Sequence, residues 1–195
     1  RSRMRCAGFA GPGVTAADLP AAAPAPGVLR VATFNLRSFP LDESPGQVPG
    51  HSPLTNICDL EDALGGLGFQ LAGFAEVTDT RRFPPILKRA TEPREVGVVI
   101  APRGGRSGQR VAIAWERWVL EPVGEPRLLE GLEVDDDARP GLAVTLQPVS
   151  GGPAVTVVQL HLADGPEGLP ARRLQHAALA DWLAEVEGAA VIVMG

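Results

Sequence analysis

Four polar residues stand at the ends of apolar, strand-like segments or beside them, and each is of a type used in metal and phosphate chemistry. Asn35 follows Leu29-Arg30-Val31-Ala32-Thr33-Phe34, and Glu76 lies in Leu71-Ala72-Gly73-Phe74-Ala75-Glu76-Val77. Arg139 precedes Pro140-Gly141-Leu142, and His161 lies in Val157-Val158-Gln159-Leu160-His161-Leu162. In open α/β sheets, ligands and chemistry gather just past the carboxyl ends of strands. A carboxylate there must be solvated, paired or metal-bound, because a bare buried charge is too costly. Glu76 is therefore open between a salt bridge to a nearby arginine and a metal ligand. One carboxylate with waters and a substrate phosphate suits Mg²⁺. Asn35 is a turn former, or an amide that orients a metal-bound carboxylate or a phosphate oxygen. His161 is a satisfied strand residue, or a donor of a hydrogen bond or proton to a phosphoryl oxygen. Arg139 either neutralises Asp135 to Asp137 or presents its planar guanidinium to a phosphate. His51, in a Pro/Gly loop, and His176, on a helix, receive no role.

Other chemistries find no support. There is no Walker-type phosphate loop and no dinucleotide fingerprint; Arg103-Gly104-Gly105-Arg106 lacks the lysine and the following helix. No serine stands in Gly-x-Ser-x-Gly, which disfavours serine-hydrolase chemistry. Cys6 and Cys58 fit no metal spacing and make no disulfide framework, so they leave the redox compartment undecided. The formal net charge of −5 gives no support for tight non-specific nucleic-acid binding. Charge is uneven, however. Arg81 to Arg110 is basic and Glu121 to Asp137 is acidic, as solvated faces or, for the basic part, as a phosphate-facing surface.

The elements that must position these residues follow from periodicity. Residues 1–27 read as an Ala/Pro-rich disordered lead without the apolar stretch of a signal peptide. The chain begins before its first Met, so a secretion signal lost upstream would be compatible with a secreted or periplasmic protein. No run is long enough for a transmembrane helix. The folded domain is expected over 28–195. A strand ends at Asn35, a helix covers Leu54 to Leu64, a strand runs from Phe69 to Val77, and a short helix covers Phe83 to Ala90. Closely spaced strands then imply antiparallel hairpins: Glu95–Ala101, Arg110–Trp115, Trp118–Pro122, Arg127–Val134, Gly141–Gln147 and Ala154–Leu162. A helix from Pro170 to Val186 carries an apolar stripe of Leu174, Ala178, Leu179, Trp182, Leu183 and Val186. Ala189 to Met194 is the last strand. The pattern predicts an α/β (α+β-like) domain, a mixed, largely antiparallel sheet with helices on one face.

Taken in order, these segments resemble the endonuclease/exonuclease/phosphatase superfamily, the deoxyribonuclease I-like fold. The resemblance rests on Leu29 to Asn35, Leu71 to Val77, Arg139 to Val144, Val157 to Leu162, the helix with Arg172 and Gln175, and Val191 to Gly195. It implies a four-layer α/β sandwich of two sheets, of which this chain is expected to supply roughly one. It implies an Mg²⁺-dependent phosphodiesterase or phosphomonoesterase, with Mn²⁺ as the alternative cation. Glu76 would be the metal ligand, Asn35 would help build the metal and phosphate site, His161 would act at the phosphate, and Arg139 would support it. Nucleic acid, phospholipid head groups, inositol phosphates and nucleotides are all substrates in this superfamily. The sequence stops at the glycine before the family's Asp-x-Asn motif, so the chain alone is expected to be inactive or nearly so. A degenerate, non-catalytic binding module is the competing expectation. The absence of tyrosine points away from the abasic-site endonuclease branch.

Overall fold

The computed structural model describes residues 27–39, 57–136, 138–186 and 190–195. The expected lead before Gly27, the loop after Phe39, Leu54, His51, Cys6 and Asp137 lie outside the described residues.

Near-continuous apolar segments make two sheets, whose central strands are buried on both faces. The first holds β1 (Val31–Phe39), β2 (Leu71–Val77), β3 (Val96–Ile100) and β4 (Arg110–Glu116) in the order β1-β2-β4-β3. β1 and β2 are parallel, joined through α1 (Ile57–Gly66), and the remaining pairs are antiparallel. The second sheet runs β5 (Leu120–Pro122), β7 (Gly141–Pro148), β8 (Val155–Gln159) and β9 (Ala190–Met194), with β6 (Arg127–Leu129) also on β7. Its parallel pair, β8 and β9, is joined through α3 (Leu169–Glu185).

Side-chain parity decides the layering. In β4, Val111, Ile113 and Trp115 face the second sheet and meet Leu142, Val144, Leu146 and Val157. Ala112 and Ala114 face the other way, with Ala72 and Phe74, onto Leu60 and Leu64 of α1 and Ile86 and Leu87 of α2 (Phe83–Thr91). Asp79 braces the turn that leads into α2, its carboxylate accepting the Arg81 and Arg82 N–H groups, both at 2.9 Å. On the far side, Ala178, Leu179 and Trp182 of α3 pack on Leu129, Leu132, Ala143 and Val158. The result is helix, sheet, sheet, helix, the four layers the resemblance implies. The expectation that the chain supplies roughly one sheet is corrected: both come from it, because β5 to β9 pair among themselves rather than extending the first sheet.

Boundaries shift in places that matter. β1 does not end at Asn35 but continues to Phe39 through an irregular stretch. β8 stops at Gln159, so His161 lies past the strand rather than in it. The strand expected from Arg127 to Val134 is shorter, giving way to a 3-10 turn over Glu130–Leu132. The stripe on α3 is only partly buried: Leu174 is 60% exposed, and the fully buried residue of the helix is Gln175.

Candidate active site

Paired bulges aim the central carboxylate. Opposite β1, Asn35 pairs with Ala75 and Phe39 with Val77, so three residues of β1 face the single residue Glu76. The insertion resets parity: Phe74 and Val77 both face the helices, as do Leu36 and Phe39. Glu76 is thereby released from the face it would share with Ala72 and Phe74. Bulges re-aim side chains in this way. The backbone records the cost, since Glu76 (φ 63°), Arg37 (52°) and Ser38 (57°) all occupy the left-handed region, which non-glycine residues rarely adopt.

Glu76 then meets groups from several separate segments. Its Oε1 accepts from Asn35 Nδ2 at 2.8 Å and faces His161 Nε2 at 3.3 Å. Its Oε2 accepts from Ser38 Oγ and Gln109 Nε2, both at 3.2 Å. Gln109 Nε2 also donates to Ser38 Oγ at 2.6 Å, and the Gln109 side-chain oxygen accepts from Arg139 Nη2. Asn35 is itself oriented, its Oδ1 accepting the Arg37 N–H at 2.7 Å. Asn35, Glu76, Arg139 and His161 thus join one connected cluster at the carboxyl ends of β2 and β8. Asn35, Ser38, Glu76 and Gln109 come from the first sheet's segments; Arg139 and His161 come from the second's.

The charges are set by these neighbours. Burial pushes the Glu76 carboxyl up, but the Asn35 hydrogen bond, the His161 imidazole and the Ser38 bonds outweigh it and hold it below its ordinary value. Burial pushes the His161 imidazole down and the Arg139 guanidinium adds to this; the pull of Glu76 and Asp164 does not restore it. At neutral pH these shifts favour an ionised Glu76 and a neutral His161, with Nε2 of the imidazole facing the carboxylate. Arg139 keeps its Nε buried without a hydrogen-bond partner, a cationic donor still to be satisfied.

Ser38 and Gln109 were not foreseen. Ser38 was hidden by the bulge, which period-two reading does not reveal. Gln109 had one signal, the glycine-rich turn before it: a Cβ on Gly104 would lie 2.1 Å from the Gln109 backbone oxygen, so glycine is what lets the turn close under Gln109. The salt bridge of Glu76 to an arginine, one of its two expected uses, does not occur among the described residues; the group that faces its carboxylate there is the His161 imidazole.

No family model and no curated protein match this chain. Solved structures do. ANGEL2, described as a 2′,3′-cyclic phosphatase and solved with adenosine-2′,3′-vanadate, aligns at 18% identity and TM-score 0.57 over 69% of this chain and 41% of that one. The human Nocturnin catalytic domain with a bound sulfate aligns at 17% identity and TM-score 0.53 over 69% and 53%. A humanized D. rerio TDP2 aligns at 14% identity and TM-score 0.58 over 83% and 58%; another D. rerio TDP2 structure holds a single-strand DNA product. The chain has the fold of the endonuclease/exonuclease/phosphatase superfamily. It matches between 41% and 58% of the lengths of these three chains.

Proposed function

We propose that this chain is a phosphoesterase module that holds Mg²⁺, or Mn²⁺ in its place, at Glu76 and acts on a phosphate ester. The observation that carries the reading is the convergence of an ionised carboxylate, an amide, a guanidinium and an imidazole at one end of both sheets. The donor set fits the cation. Mg²⁺ is commonly held by one or two carboxylates, completing its shell with waters and substrate phosphate. Glu76 is kept ionised, and three of its four contacts are loose at 3.2–3.3 Å, so a cation displaces little. A bound Mg²⁺ supplies neutralisation of charge on the phosphoryl oxygens. The chain's own residues do the rest. Asn35 orients the carboxylate, the Arg139 guanidinium brings positive charge toward a phosphate, and neutral His161 offers its Nε2–H. Phosphoryl transfer is served mainly by such positioning and electrostatics. The fold does not choose the ester; DNA, bound as product in TDP2, makes nucleic acid the first substrate to try.

The test is Mn²⁺-induced relaxation broadening of backbone amides near residue 76, alongside hydrolysis of bis(4-nitrophenyl) phosphate and 4-nitrophenyl phosphate with Mg²⁺ or Mn²⁺. Glu76→Gln should lower cation affinity by more than the roughly 10–100-fold that loss of a supporting group costs. Unchanged broadening in Glu76→Gln overturns the metal assignment. The second reading is a non-catalytic binding module that holds a cation and a phosphate group without hydrolysing an ester. Cation and phosphate binding without turnover would select that second reading.

A further inference from the structure

Besides Ala178, Leu179 and Trp182, which pack on the second sheet, the helix α3 buries a polar residue. Gln175 is its one fully buried side chain, while the neighbouring Leu174 is exposed. A buried amide is tolerated only when both ends find partners. Both do: Gln175 Oε1 accepts the Ala163 N–H at 2.9 Å, and Nε2 donates to the Leu132 carbonyl at 3.0 Å. Arg172, nearly one turn earlier, donates through Nη1 to the carbonyls of Ala163 (2.7 Å) and Gly165 (2.8 Å). Both backbone polar groups of Ala163 are therefore held by side chains of α3. Ala163 lies two residues past His161, in a stretch with no regular secondary structure. On the other side of His161, the Leu160 N–H is held by the Met194 carbonyl at 2.8 Å. Leu132 ends the 3-10 turn on the segment that leads to Arg139.

Gln175 thus joins the two segments through which the second sheet delivers His161 and Arg139. We propose that Gln175 is a positioning residue, setting His161 against Glu76 by tying the backbone at Ala163 to that at Leu132, with Arg172 completing the clamp. The phosphoesterase reading enters only through the use to which His161 is put; the positioning stands or falls separately.

The full chain carries three histidines, so the His161 ring signals are assigned with a His161→Gln variant. A long-range ¹H–¹⁵N correlation at pH 8 reads which ring nitrogen carries the proton. The unmodified chain should show the Nε2–H tautomer that faces Glu76. Gln175→Met keeps length and apolar bulk but removes both bonds, and should shift His161 to an averaged tautomer mixture. Leu179→Ala loosens α3 by packing alone and should leave the His161 signal in place. Retention of the Nε2–H tautomer in Gln175→Met overturns the proposal, as does an equal change in Leu179→Ala. If Gln175→Met does not fold, Arg172→Leu gives the same readout, and an unchanged His161 signal there overturns the proposal too. Failure of metal binding or hydrolysis leaves this result untouched.

Discussion

Glu76 and His161 give the site a definite response to acid. Both groups have folded-state pKa values below their ordinary ones, 4.5 for the carboxyl and 6.5 for the imidazole. The unfolded chain therefore binds these protons more readily than the folded one. Each contributes stability that is present above its ordinary pKa and is lost as pH falls through the folded value. His161 acts first, as pH drops below about 6.5, and Glu76 follows below about 4.5. Urea midpoints measured from pH 8 to pH 5 should fall with acid, and His161→Gln should flatten that slope; an unchanged slope would show that His161 is not the group responsible. The four residues that carry the candidate site were legible because a polar residue bounding an apolar strand is conspicuous. Their partners Ser38 and Gln109 were not, since a bulge changes which face a side chain takes without changing composition. Cys58 is disulfide-bonded, which the spacing of the cysteines along the chain does not report.

Two elements, β2 and β8, one from each sheet, meet at a close approach. A Cβ placed on Gly73 would lie 1.7 Å from Gln159 Oε1 and 2.9 Å from Met194 Cε. Gln159 is fully buried, donating Nε2 to the Leu160 carbonyl at 2.8 Å. Gly73→Ala should force the strands apart and cost about 1–3 kcal/mol, the usual range for overpacking. Gly73→Ala combined with Gln159→Ala should cost less than the sum of the two single changes, because the clash is removed; strict additivity in urea titrations would mean the two residues do not communicate. Strand and helix types were readable from periodicity, and most boundaries fell within a few residues. The helix α3 was the exception in detail. Leu174 and Leu183 stay exposed, and Gln175, which hydropathy alone would place outside, joins Ala178, Leu179 and Trp182 in docking the helix.

At the level of the whole molecule, stability rests on the apolar seam between the sheets. Leu146 is fully buried there, and Leu146→Ala should cost about 2–5 kcal/mol. Leu174→Ala, on the open face of α3, should change stability by no more than about 0.5 kcal/mol. Equal losses in thermal or urea unfolding would mean that α3 buries a face not described above. The second sheet was the least legible part of the fold, although each of its strands was anticipated. Which strands pair depends on long-range choices that local pattern does not encode; Leu120 meets Pro148 and Val155 meets Ala190 across tens of residues.

The division of the site between the two sheets has a consequence for partly unfolded molecules. Asn35, Ser38, Glu76 and Gln109 belong to one layer, Arg139 and His161 to the other, and the bonds among these six residues run through side chains. A molecule whose layers have parted keeps much of each sheet's hydrogen bonding yet holds a carboxylate without its imidazole and a guanidinium without its amide. Secondary structure and the reactive cluster would then disappear at different points along an unfolding curve, with the cluster going first. The contact between Glu76 and His161 therefore exists only where both layers are in place.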